Sequence, residues 1–426
     1  MAPSPFQSPS PPLHLSVALD GAGWHSAAWR ERGARPGELF SAGYWADLVA
    51  EAERGLLDFV TVEDSLSLQS THPAAPDDRT DRVRGRLDAM LTASRVAPLT
   101  RHVGLVPVAV VTHTEPFHLS RAVATLDFVS EGRAGVQVRI SHRTDEFGNF
   151  GRRTPPGPGE EAMAELYGEA GDYVEVLRRL WDSWEDDAEI RDTATGRYID
   201  RDKLHYIRFE SSRFSVLGPA ITPRPPQGQP VVAVAAHDAH AAQLVGACAD
   251  IGFVALSGTD TGADTGADTD TDTDTGADTD TDTGAGAGGV AASLARIRAA
   301  QAAAGRADDT VHVFGDLVVL LDDSPAAAAR RRARLDERAN GEAASALPVF
   351  AGTPSQLADL LLDRQRAGLT GFRLHPATLP HDLEQITRRL VPELQRRGAF
   401  RTAYPAAGTL RGLLGLPRPV NRYAER

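Results

Sequence analysis

At 426 residues, 42% hydrophobic and 24% charged, the chain has ordinary globular composition and ample length for a large core, as two or three domains or as one α/β barrel with insertions. Its formal net charge of −13 argues against nucleic acid as the main partner, although nine aspartates between Asp260 and Asp282 supply most of it. One cysteine, Cys248, excludes an internal disulfide and a cysteine-based metal cluster, and its alanine-rich surroundings suit a small packing residue better than a reactive thiol.

Residues 1–12 are rich in Pro and Ser, lack the apolar centre of a signal peptide and read as a disordered tail. No stretch approaches the ~20 apolar residues that span a bilayer, so the expected location is the cytoplasm, with no membrane partner. Short runs rich in Val, Ile and Leu then alternate with longer amphipathic runs. Residues 13–19 read as a strand, 44–54 as a helix with Leu48 inward, and 58–62 as a second strand. A polar loop leads to a helix near 87–95, a strand at 103–111, a helix over 117–128 and a strand at 134–140.

Over 166–184, Tyr173, Val174, Leu177, Leu180, Trp181 and Trp184 recur at three- and four-residue steps, the mark of a long helix with one buried face. The segment 185–229 holds several Pro and Gly and no periodic run, and reads as an excursion. Strands at 230–235, 251–256, 311–320 and 371–374 follow, with helical runs at 239–249, 291–304, 354–366 and 382–395. Eight strand–helix repeats predict an α/β fold of the (β/α)8 TIM-barrel type over residues 13–416, with 417–426 as a tail. A doubly wound open sheet has the same local pattern, and the count of eight favours the barrel. Residues 257–289 repeat Gly, Ala, Asp and Thr with nothing apolar larger than alanine, so this tract reads as a disordered, solvated insertion.

Active sites of such barrels lie at the carboxyl ends of the strands. In order these ends carry Asp20, His25 and Trp29-Arg30; Glu63 and Asp64; Thr112, His113 and Glu115; Ser141, His142 and Arg143; His237, Asp238 and His240; and His375. Each alone is more often a solvated loop residue than a catalyst, and their joint placement at one end carries the information. The run His237-Asp238-Ala239-His240 matches no strong zinc motif, so no metal is expected. No GxGxxG, GxxxxGK or GxSxG sequence appears, which weakens dinucleotide, P-loop and hydrolase readings.

The run DFVTVEDSL at 58–66 and the long stretches 104–135, NFG at 149–151, 172–188 and 391–416 resemble the bacterial-luciferase-like, flavin-dependent monooxygenases. The branch is that of nitrilotriacetate monooxygenase, dibenzothiophene-sulfone monooxygenase and pristinamycin synthase. The resemblance implies a barrel that takes reduced FMN from a separate flavin reductase and uses dioxygen to oxidise a small organic substrate, with a homodimer as the usual assembly. It implies flavin contacts at Asp64, at Val108 or Val110, and at Ser141, Met163, Tyr167 and Asp238. His25, His113 and His142 are the candidate proton donors.

Departures from the family pattern accompany it. A strand hydroxyl has become Val108 or Val110, a His has become Met163, a Trp-Asn pair reads Val136-Gln137, and a phosphate-contacting Ser has become Asp238. A carboxylate repels a phosphate dianion. Either Arg143, Arg152 or Arg153 re-forms a phosphate clamp, or the barrel has lost productive flavin binding and serves as an accessory protein; a deazaflavin-dependent oxidoreductase is a further alternative. The plainer readings are a helix cap for Asp64, packing for Met163 and Tyr167, and a solvated loop for His25.

Overall fold

The computed structural model describes residues 12–70, 77–157, 159–256, 289–340, 347–406 and 408–424. Nearly all of the terminal tail and of the Asp/Thr tract expected to be disordered therefore lies outside the described residues. The eight expected strands are all present: β1 (His14–Leu19), β2 (Phe59–Val62), β3 (Gly104–Val110), β4 (Gly135–Arg139), β9 (Val231–Ala235), β10 (Ile251–Ala255), β11 (His312–Leu321) and β13 (Gly371–Pro376). Every one of them pairs in parallel with its neighbours, and β13 returns to β1. The sheet is thus a closed barrel, and the open-sheet rival is excluded.

Helices cross between the strands: α1 (Ala42–Arg54), α2 (Ala89–Val96), α3 (Pro116–Val129), α4 (Thr144–Phe150), α5 (Glu160–Asp182), α6 (Ala239–Cys248), α7 (Val290–Ala303), α8 (Pro325–Arg338) and α9 (Pro354–Arg366). The helix expected over 382–395 runs as His381–Gln385, a wide π turn over Ile386–Leu390, and Val391–Arg396. Pro392 lies just beyond the π turn, where a missing N–H and a bulky ring disfavour a regular α-helical turn.

The excursion carries two small hairpins, β5 (Glu189–Asp192) with β6 (Arg197–Ile199) and β7 (Phe209–Glu210) with β8 (Ser215–Val216). One further strand was not anticipated: β12 (Val349–Gly352) pairs with the upper half of β11, beyond the barrel wall. β11 can serve both neighbours because it is ten residues long.

Alternate residues of each barrel strand face opposite sides. Val60 and Val62 of β2 pack outward among the helices, while Phe59 packs inward with Val106, Val231, Ile251, Phe253 and Phe314. Leu410, Leu414 and Leu416 close this inner cluster from the amino-terminal end. They can approach because β3 and β4 begin with glycine: a Cβ on Gly104 would stand 2.6 Å from Leu410. The lower barrel is therefore sealed and dry, and polar chemistry is confined to the upper half.

Candidate active site

Three side chains, two from the neighbouring strands β11 and β13 and one from β4 across the barrel, form the floor of the upper barrel. Arg373 of β13 donates to both oxygens of Asp316 of β11, at 2.9 and 2.5 Å, and reaches across to Gln137 of β4. Its guanidinium lies 3.6 Å above the ring of Phe253, the uppermost layer of the apolar cluster. Burial alone would raise the Asp316 pKa, but the Arg373 guanidinium beside it outweighs this and holds the carboxyl well below the usual range. The floor is consequently a fixed ion pair, with its charges matched and its donors mostly engaged.

The rim stands above it. Arg139, the next inward residue of β4, pairs with Glu63 at 2.8 Å and donates to the carbonyl of Asp64 at 3.0 Å. Arg86 pairs with Asp20 at 3.0 Å. Burial pushes Glu63 upward despite Arg139 beside it. Trp24 is anchored by its indole N–H on the carbonyl of Ala18 at 2.8 Å and meets the ring of His375 edge-on, 4.3 Å between centroids. Several buried polar atoms here find no partner among the described residues: Thr61 Oγ1, Arg86 Nε and Nη1, and both nitrogens of His375.

The residues singled out from the sequence fall into three groups. Asp64 accepts from the backbone N–H groups of Ser65 and Ala89, at 2.8 and 2.9 Å, and so ties the β2 loop to the start of α2; burial raises its pKa. Val108 and Val110 are buried on the inward side of β3. Ser141 is buried and tied to Thr112 and to the Arg143 backbone, whereas His142 is exposed.

His113 is buried between Phe147 and Phe150, with Nε2 3.8 Å from Glu146 Oε2, and burial lowers its pKa. It borders a cavity of about 470 Å³ beside the β3 end, whose rim includes Arg152, Arg153 and Arg213. His25 is buried rather than solvated. Its Nδ1 accepts from the Ala27 N–H at 3.1 Å and its Nε2 meets Asp336 at 3.1 Å, so both nitrogens are engaged.

The third group sits at the end of β9. Asp238 caps α6, accepting from the Ala241 N–H at 2.7 Å, and takes a second hydrogen bond of 2.9 Å from the Tyr167 hydroxyl. Tyr167 also stacks on His240, and Met163 packs half-buried against the core. The structure thus joins Tyr167 to Asp238 in one hydrogen bond. The proposed arginine clamp is differently employed: Arg143 pairs with Asp145, Arg152 with Glu115, and Arg153 with Glu169. Among the described residues no group of His, Cys, Asp and Glu could hold a metal ion, and no helix is long and apolar enough to cross a membrane.

Arg373, Asp316 and Arg139 were not recognised from the sequence as part of the site. The signal available was a charged residue at an inward position of an otherwise apolar strand, which burial makes costly unless a partner is built in.

Comparison with known proteins bears on what this mouth does. The sequence pattern of the luciferase-like monooxygenases matches residues 22–272. The N-acetyl-S-(2-succino)cysteine monooxygenase of Bacillus subtilis (strain 168) is 31% identical over 97% of this chain and 98% of its own. This chain belongs to the luciferase-like monooxygenase family. The nitrilotriacetate monooxygenase component of Aminobacter aminovorans is 30% identical, again over 97% of this chain and 98% of its own length. Among solved structures, long-chain alkane monooxygenase superposes with a TM-score of 0.79 at 22% identity, covering 95% of this chain and 96% of that one. The EDTA monooxygenase of Chelativorans sp. BNC1 gives 0.76 at 21%, over 96% and 99%.

Family membership carries the enzyme class, a flavin-dependent monooxygenase of small organic molecules, and disfavours the accessory-protein and deazaflavin alternatives. The luciferase-like mouth seen here fits a flavin ring at one end: partnerless buried donors and acceptors at Thr61, Arg86 and His375 match a heterocycle edged with carbonyls and nitrogens. It does not fit a phosphate at the α6 start, because the Asp238 carboxylate already fills that helix terminus.

Proposed function

We propose that the chain is the oxygenase component of a two-component system, taking reduced FMN from a separate flavin reductase and using dioxygen to oxidise a small organic substrate at the barrel mouth. The observation that carries this reading is the set of buried polar atoms left without partners above a charge-matched floor. Leaving such groups dry costs about 1–3 kcal/mol each, so a bound molecule that satisfies them is favoured. When bound, the flavin supplies the redox chemistry.

The chain's own residues do the rest. Arg373, Asp316 and Gln137 hold a rigid floor, and Phe253 beneath them keeps water from entering from below. Thr61 and Arg86 offer hydrogen bonds to the ring edges or the substrate. The spare buried N–H groups of Arg86 suit an acceptor-rich substrate such as a carboxylate, the chemistry named in the nitrilotriacetate relative. Asp238 requires that the phosphate of FMN lie away from the α6 start. Anaerobic titration with reduced FMN tests the reading directly: binding is expected below ~100 μM, and no binding at that level removes it.

A further inference from the structure

On β13, His375 stands one inward position above Arg373, close to the mouth. It is 1% exposed, and neither Nδ1 nor Nε2 finds a hydrogen-bond partner among the described residues. A buried imidazole with two dry nitrogens burdens the folded state unless something else makes those bonds. The groups facing the ring are Asp316 of β11, with Oδ1 3.5 Å from Nε2; Arg373 below; His237 at the end of β9; and Trp24, which meets it edge-on. The Asp316 charge on the Nε2 side favours the tautomer that carries its proton on Nε2. Burial keeps the ring neutral, its pKa below the ordinary value. Nδ1 is then a bare acceptor.

We propose that His375 Nδ1 accepts a hydrogen bond from a ring N–H of the bound reduced flavin, with Asp316 as the positioning residue that fixes the tautomer. The inference rests on the mouth being the flavin site. It makes His375 a contact residue for the cofactor, and it explains why a polar ring survives in a wholly buried place.

The test compares wild type with His375→Phe and His375→Asn. Phenylalanine fills the same space against Trp24 and removes both dry nitrogens, so the ligand-free protein should melt at the wild-type temperature or higher, while affinity for reduced FMN falls about tenfold. Asparagine returns an acceptor near the Nδ1 position and should recover most of that affinity. A purely structural His375 gives the opposite pair of results, a lower melting temperature with unchanged binding, and overturns the proposal. Nitrogen NMR of labelled histidine reads the tautomer without any ligand: a proton on Nε2 at neutral pH is expected, and a proton on Nδ1 or an imidazolium overturns the proposal. If wild type itself binds no reduced FMN, the functional reading falls and this contact with it. If wild type and His375→Phe bind alike, only the contact falls.

Discussion

The lower and upper halves of the barrel interior are built from the same strands under opposite rules. Below, Phe59, Phe253 and Phe314 pack against Leu410, Leu414 and Leu416, and the one polar ring among them, His312, is held by a single bond from Nε2 to the Leu414 carbonyl at 2.9 Å while its Nδ1 has no hydrogen-bond partner among the described residues. Above, Arg373, Asp316, Arg139, Glu63 and His375 occupy the equivalent inward positions, some paired and some not. The difference teaches that height along a strand, not strand identity, separates stability from function. Residues that close the barrel bottom hold the fold; those at the carboxyl end are free to be polar, and some are left without a hydrogen-bond partner among the described residues.

The comparison breaks most visibly at the seam between the halves. Arg373→Leu leaves the Asp316 carboxylate buried without its partner, and should cost about 4 kcal/mol in a denaturant melt. Replacing both residues together by leucine should recover most of that loss, since two apolar side chains leave no buried charge. A single-variant loss under ~1 kcal/mol would mean that water reaches the pair, and the floor would not be dry.

His312 sharpens the contrast through pH. Burial pushes His312 down from 6.5 to about 4, so it stays neutral in the fold while the unfolded chain takes up a proton below 6.5. Its contribution is therefore complete above about pH 6.5 and is lost as pH falls toward 4, on the order of 3 kcal/mol. Melting temperature followed across that range should fall in wild type and fall less in His312→Phe. An unchanged slope in the variant assigns the acid sensitivity to other groups.

Much of this was legible in the sequence, for reasons that also explain what was not. The eight strands announced themselves because each is a short β-branched run set between amphipathic helices, and the helix over Pro354–Arg366 has the expected bounds, its start fixed by a capping box of Thr353 and Gln356. β12 escaped because four residues outside the barrel count add no repeat of their own. Of the rim residues, Asp20, Glu63 and His375 were accessible from the strand-end rule alone, whereas Arg139, Arg86 and Trp24 were not. The floor was not, since Arg373 finds Asp316 57 positions earlier and Gln137 236 positions earlier, separations that no local pattern encodes. Asp64 shows the converse: a capping role was one of its two readings, and the N–H it caps, that of Ala89 at the start of α2, lies 25 residues away.

At the mouth's outer edge, Asp238 offers a smaller effect. Asp238→Ser keeps a good helix cap and removes the negative charge from the α6 terminus. Affinity for FMN should rise relative to riboflavin by about tenfold, measured by calorimetry on both flavins. An unchanged ratio means that the phosphate keeps its place elsewhere on the rim even when the α6 terminus carries no carboxylate.

Arg152→Ala carries the smallest expected change and decides where that phosphate sits. Arg152 and its partner Glu115 are 68% and 67% exposed, so their ion pair is largely screened and its loss should cost under ~0.5 kcal/mol. Arg153, by contrast, is tied to the Thr112 carbonyl as well as to Glu169, and it holds the end of β3 in place. If both arginines merely decorate the cavity beside β3, Arg152→Ala leaves FMN and riboflavin binding equally intact. If the cavity rim receives the phosphate, the variant weakens FMN alone and the loss shrinks with added salt, because only the charged end of the ligand feels an exposed guanidinium. The functional half of the barrel would then extend past the strand ends onto the α4–α5 connection, while the lower half stays purely structural.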